Sequence, residues 1–193
     1  MLKVARAFEA ELALRQGYLA VASRWAEKYQ AKPFRPTYRF YMPQVTLIRT
    51  LLAQGTTDSR QQAADLLDQL HDFLVSIHNN RFQIDTLALQ ALLHDARGED
   101  SAALEKLSQV LDLAEPGGFI RLFVDLGPRM ADLLKQLIKQ NVAVDYAGKI
   151  LAAFREDEHR PVPDPNSLLI SAFRIPNSPF RFSPSPSLPA CSA

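Results

Sequence analysis

Leu51-Leu52-Ala53-Gln54-Gly55-Thr56-Thr57-Asp58-Ser59-Arg60-Gln61-Gln62-Ala63-Ala64 reads as a helix that ends, a chain reversal, and a second helix that begins. Gly55 tolerates the left-handed backbone that reverses a chain just past a helix end. Asp58 or Ser59 is placed to cap the second helix, and Ala63 and Ala64 are small enough to let that helix lie close against the first. The same arrangement occurs twice more. Leu12-Ala13-Leu14 precedes Gly17, with Ala20 and Ala22 after it, and Leu92-Leu93 precedes Gly98, with Ala102 and Ala103 after it. The glycines are 38 and 43 residues apart, within the range of periods that marks repeat architectures. The fold class is therefore all-α, an array of helical hairpins, and an array of this kind presents a binding surface.

Helical periodicity extends outward from these turns as far as about Arg155. A first helix runs to about Gln16, with Ala5, Phe8 and Leu12 as its face. A second, near Tyr18 to Gln30, aligns Val21, Trp25 and Tyr29, and Pro33 and Pro36 stop it. A third carries Tyr41, Val45, Ile48 and Leu52. The fourth, about Ser59 to His78, is the most regular amphipathic segment, with Leu66, Leu67, Leu70, Phe73, Leu74 and Ile77 on its apolar side. A fifth spans roughly Phe82 to Ala96 and a sixth Glu99 to Ala114, where Pro116-Gly117-Gly118 breaks it. Phe119-Ile120-Arg121-Leu122-Phe123-Val124 has strand propensity, but a lone strand would have no partner. Phe119, Leu122, Phe123 and Leu126 instead share a helical face. Two further helices come after it, near Arg129 to Gln140 and Val144 to Arg155.

The chain of 193 residues is 47% hydrophobic and 22% charged, with a formal charge of +1. That composition supports a folded core and provides no field to recruit nucleic acid or an anionic membrane. The single Cys191 allows neither an internal disulfide nor a multi-cysteine metal site. Charges interrupt the N-terminal apolar residues too early for a signal-peptide core, and no apolar run approaches the roughly 20 residues needed to cross a bilayer. The expected location is the cytoplasm. Eight of the 13 prolines and seven serines lie beyond Pro161 or at it. The expected division is a helical-repeat domain over 1–157 and a disordered Pro/Ser-rich tail over 158–193.

The closing stretch carries a resemblance. Pro116 to Phe119, Arg121 to Asp125, Gly127-Pro128-Arg129-Met130 with Leu133-Leu134, and Leu151-Ala152-Ala153-Phe154 stand in an order and spacing that resembles the tetratricopeptide-like region of large LuxR-type, ATP-dependent bacterial transcriptional regulators, the group typified by MalT. The resemblance spans about Leu2 to Phe154. It implies a TPR-like solenoid, a right-handed superhelical array of hairpins that senses an effector or a protein partner between a nucleotide-binding switch and a helix-turn-helix. No G-x-x-x-x-G-K-[ST] loop is present to cradle phosphates, and where the resemblance implies DNA-reading helices after Phe154 the chain enters Asp164-Pro165-Asn166-Ser167-Leu168-Leu169-Ile170 and the Ser-Pro tail, so neither ATP switching nor operator binding is carried over.

Candidate side chains are few. Trp25, Tyr29, Tyr38 and Tyr41 gather around the first linker between hairpins, where they serve either the core or an effector or partner. Arg121 stands between Phe119 and Phe123, with the same two readings. His71 and His78 are seven residues apart, about 10 Å along a helix, which is too far to share one ion. Asp65, Asp68 and Asp72 make a solvated face, with no nucleophile or cleft beside them. No catalytic, cofactor-binding or metal-ligating residue is assigned, and none of the enzyme signatures is met. The alternative to the regulator reading is a stand-alone TPR adaptor joining two proteins. An array with uncovered ends is also expected to self-associate through them.

Two accounts of the tail divide these readings. Either the residues after about Pro163 are translated out of frame and Met1 is an internal start, or a natural disordered tail extends from a stand-alone module. The first predicts a helix-turn-helix encoded in another frame beyond Pro163. Translating the surrounding DNA in every frame checks it, and the absence of that domain in both alternative frames leaves the adaptor.

Overall fold

Chain reversals between helices are made by residues with backbone in the left-handed region, among them Gly17 (φ +80°), Gly55 (+69°), Gly98 (+75°), His78 (+52°) and Asn141 (+61°). They separate helices in a computed structural model that describes residues 2–31 and 41–158. Among these residues the helices are α1 (Leu2–Arg15), α2 (Leu19–Ala26), α3 (Pro43–Gln54), α4 (Thr57–Ser76), α5 (Asn80–Ala96), α6 (Asp100–Ala114), α7 (Arg121–Val124), α8 (Pro128–Lys139) and α9 (Val144–Glu158). No strand occurs among them. The glycine turns join α1 to α2, α3 to α4 and α5 to α6, so each closes one hairpin, as the repeat predicts. Tyr38 and the tail lie outside the described residues.

The hairpins stack through their first helices. Helix α3 touches α1, α2, α4 and α5, and α5 packs on α3, α4 and α6. A helix enclosed in this way must turn apolar side chains to more than one side, and α5 does: Ile84, Leu87, Ala88 and Ala91 face a core shared with α6, α8 and α9, while Phe82, Leu89 and Leu93 face a second core built on α3 and α4. Helix α5 thus joins the two cores. Its one buried hydroxyl, on Thr86, donates back to the Phe82 carbonyl at 2.9 Å, which avoids an unsatisfied polar group.

The α3–α4 turn differs from the expected cap. Thr56, not Asp58 or Ser59, is the capping residue. Its hydroxyl accepts from the Ser59 amide at 3.0 Å, while the Ser59 hydroxyl accepts from the Thr56 amide at 3.1 Å. This reciprocal pair satisfies two otherwise orphaned donors. Helix α2 ends at Ala26, short of Gln30, so Tyr29 sits in the turn beyond it.

The apolar face assigned to α1 is also corrected. Phe8 is 51% and Leu12 57% exposed, while Ala7, Ala10 and Ala13 are buried. In α1 the charged residues Lys3, Arg6, Glu9, Glu11 and Arg15 are spread among the apolar ones, so periodicity alone does not pick out the buried stripe. The alanines win because they permit the closest approach to α2 and α3. In α2 the same preference buries Ala22 and leaves Val21 43% exposed.

After α6 a single 3-10 turn, Glu115–Gly117, leads to Gly118 and then α7. A Cβ on Gly117 would lie 2.3 Å from the Phe119 ring, so the ring folds back over the turn only because residue 117 has no side chain. The Arg81 guanidinium lies over the Phe119 ring, 5.5 Å from its centroid. The Tyr146 hydroxyl donates to the Phe119 carbonyl at 3.0 Å. Leu122 and Phe123 of α7 are buried, as their helical spacing predicts.

His78 occupies a position that the α1–α2, α3–α4 and α5–α6 turns give to glycine, and a side chain costs about 1–2 kcal/mol in that conformation. Replacing it by glycine is expected to stabilise the protein by about 0.5–1 kcal/mol, read as a higher midpoint in urea unfolding at unchanged slope.

Candidate functional site

Because α1, α3 and α5 lie side by side, their inner faces form one groove of about 680 Å³. Its apolar lining comes from Leu14 of α1, Leu52 and Ala53 of α3, and Leu89, Leu92 and Ala96 of α5, with Leu126 added by the turn between α7 and α8. The volume falls within the range of small-molecule pockets. A second cavity of about 250 Å³ adjoins it, lined among others by Phe8, Tyr41, Thr46, Arg81, Asp85 and Leu122. Glu11, Arg15, Arg49 and Asp125 line both.

Those four residues form a continuous charge network. Arg49 donates to Glu11 at 2.6 Å, Arg15 donates to the same oxygen at 3.1 Å, and the Thr46 hydroxyl donates to the other carboxylate oxygen at 2.9 Å. Arg15 also reaches Asp125 at 3.4 Å. This pair joins the first helix of the array to the turn after α7. At the far end of the groove Arg129 binds Asp95 through two parallel bonds of 2.8 and 2.7 Å, a geometry that fits the planar guanidinium to a carboxylate.

Burial is the largest influence on Glu11 and opposes its charge, but Arg49, the Thr46 hydroxyl and Arg15 together outweigh it and hold its carboxyl below the ordinary value. Since Thr46 spends its proton on Glu11, the Tyr41 hydroxyl is the donor in its 2.9 Å bond to Thr46. Burial pushes the Tyr41 phenol up to about 12, and the adjacent Glu11 charge adds to the shift. Asp85, beside Arg81 at 2.6 Å, is also raised, because its desolvation exceeds the help from Arg81 and Arg49.

The residues singled out from sequence are dispersed. Tyr41 lines the smaller cavity and stacks on Phe8 with centroids 3.9 Å apart. Trp25 and Tyr29 stack on each other at 4.8 Å and pack against the α3–α4 core. They line a separate recess with Arg6, Lys28 and Gln30. Arg121 is 60% exposed and lines neither groove cavity. It pairs with Asp125 and with Asp157 of α9, while the guanidinium over Phe119 belongs to Arg81. The groove residues Glu11, Arg15, Arg49, Asp95, Asp125 and Arg129 went unread. They are spread over the chain, and the only local hint is that Glu11 and Arg15 stand four apart on one helix.

The sequence matches the family model of the MalT-like TPR region over residues 1–140. The match includes the Pro116 to Met130 signature and stops short of Leu151 to Phe154. No curated protein and no solved structure matches the chain significantly.

Glu11→Gln removes the charge at which three bonds converge, and is expected to destabilise the protein by about 2 kcal/mol at neutral pH. A depressed carboxyl contributes stability above its unfolded value, and that contribution fades as pH falls through the folded value. The gap between wild type and Glu11→Gln should therefore narrow below about pH 4, as measured by denaturant unfolding at a series of pH values.

Proposed function

The chain belongs to the MalT-like TPR region family, and from that premise we propose that it is the sensing module of a LuxR-type transcriptional regulator. Its inner groove takes up an effector or a segment of a protein partner. The observation that carries this reading is the groove itself, whose walls are inner faces of successive hairpins with an apolar floor and polar groups at defined points. Such a surface binds without reacting. The groove brings no serine, cysteine or histidine beside a base, and its carboxylates are engaged in ion pairs. The proposed binding unit is 1–157, acting in the cytoplasm without cofactor, metal or direct nucleic-acid contact. Of the aromatic candidates, Tyr41 lines the cavity that adjoins the groove, which supports a part for it in binding. No helix among the described residues is long and apolar enough to cross a membrane.

A second reading, an adaptor that contacts proteins, is favoured by the first hairpin. Phe8, Leu12, Tyr18 and Val21 are 51%, 57%, 62% and 43% exposed within 14 residues of chain, a density of apolar side chains that marks contact surfaces. This surface supports self-association or capture of a protein partner. Trp25 and Tyr29, in their own recess with Arg6 and Lys28, belong to this reading.

Ala53 is an exposed position on α3 that lines the groove, so Ala53→Trp fills the cavity with little cost to the fold. In a thermal-shift screen of small molecules, a groove ligand at 100 times its Kd stabilises wild type by about 2.7 kcal/mol and leaves Ala53→Trp unmoved. Ligands that shift both proteins equally would show that the groove is not the site. For the second reading, Leu12→Glu is expected to abolish self-association measured by light scattering over a range of concentrations, with helicity retained by circular dichroism.

A further inference from the structure

Each of the charged side chains that line the larger cavity is paired with another member of the same lining. Arg15, Arg49 and Arg129 stand against Glu11, Asp95 and Asp125, through Arg49–Glu11 at 2.6 Å, Arg15–Glu11 at 3.1 Å, Arg15–Asp125 at 3.4 Å and Arg129–Asp95 at 2.7 Å. The carboxylates are better protected than Arg15 and Arg129, while Arg49, 14% exposed, is buried to a similar degree. The Asp95 side chain is 4% exposed, Glu11 12% and Asp125 18%, whereas Arg129 is 62% and Arg15 49% exposed. The floor between these pairs is apolar, formed by leucines and alanines of three helices.

We infer that the groove selects an uncharged, mainly apolar ligand, and that its ion pairs act as a rim excluding charged molecules of similar shape. The inference rests on the reading of the groove as the binding site and names the chemical class that the site takes. An anionic group entering the groove meets arginines whose charge is already matched and carboxylates that repel it. A cationic group meets the converse. Either must break a pair or lose its hydration without replacement, and removing one partner from a desolvated pair is costly. An uncharged body gives up little hydration and covers the leucine floor. The pairs also keep the lining wetted at its edge, where a ligand's own polar end can remain in water.

Two fluorescent probes with the same ring system test this. N-Phenyl-1-naphthylamine is uncharged, and 8-anilino-1-naphthalenesulfonate carries one sulfonate on the same rings. Titrated into the full chain, the uncharged probe is expected to bind about tenfold or more tightly than the sulfonate, the scale of one uncompensated desolvated charge. The uncharged probe partitions more readily into any apolar site, so the decisive reading is how the ratio of the two affinities responds to the rim. Asp95→Asn releases the exposed Arg129, and Asp125→Asn takes one of the two carboxylates from Arg15 and leaves it shared with Arg49 on Glu11. Each is expected to tighten the sulfonate several-fold, with the uncharged probe unchanged. Two variants at opposite ends of the groove guard against a failure of either to fold.

If the ratio stays where it is in both variants, including a parallel rise for both probes from a loosened fold, the inference is wrong. Equal affinity of the two probes for wild type would also overturn it, provided that Ala53→Trp abolishes the binding of both. Should Ala53→Trp leave both probes bound as before, the groove reading itself fails, and the inference fails with it.

Discussion

Glu11 ties the first hairpin to the second. Its two carboxylate oxygens take up Arg15 from its own helix and Arg49 and Thr46 from α3, and Tyr41 is fixed behind Thr46. The buried apolar residues of α1 are alanines, which allow close approach but specify rotation and sliding poorly, since each offers a single methyl group. A buried carboxylate with three directed donors has one satisfied position. The register of α1 along α3, and so the shape of the groove wall they share, is set by that requirement. Groups engaged in this way contribute less to net stability than to the uniqueness of the arrangement, because their desolvation offsets much of the attraction.

The second core depends on a different constraint. Helix α5 has cores on two sides and the groove on a third, so its sequence must be apolar on more than one side, and its polar side chains must find partners inside. Thr86 turns its hydroxyl to its own helix, Gln90 donates to Asp68 of α4 at 3.1 Å, and Asp95 accepts Arg129 at the point where α5 leaves the core. The last of these pairs also sets the distance between α5 and α8, which fixes the far end of the groove.

How much of this was legible in the sequence depended on whether the deciding contact was local. Gly17, Gly55 and Gly98 were readable because a positive φ restricts the residue type, and the same logic missed His78, which adopts that backbone without being glycine. The short helix α7 was readable from Phe119, Leu122, Phe123 and Leu126, a face whose period excludes a strand. The buried stripe of α1 was not, because Phe8 and Leu12 are larger and more hydrophobic than the alanines that displaced them. Transfer free energy ranks side chains one at a time, whereas helix packing depends on the gap between backbones. The groove was the least legible feature. Glu11 and Arg49 are 38 residues apart and Asp95 and Arg129 are 34 apart. Nothing in either neighbourhood distinguishes these residues from surface charges. The aromatic candidates drew attention by their type, and two of them, Trp25 and Tyr29, lie outside the groove.

Helical-repeat arrays ordinarily behave as springs, because each unit touches only its neighbours and strain disperses along the length. The 3.4 Å contact between Arg15 and Asp125 limits that freedom here by joining α1 to the turn after α7. A clasped spring resists both opening and twisting, so a displacement of the first hairpin is transmitted to α7 directly as well as through α3 and α5. Arg121 extends the same clasp to Asp157 of α9. An ionic clasp is also a soft one, since its strength falls with the salt around it. The compliance of the curve therefore depends in part on this partly solvated contact, alongside the Arg49–Glu11 and Arg129–Asp95 pairs.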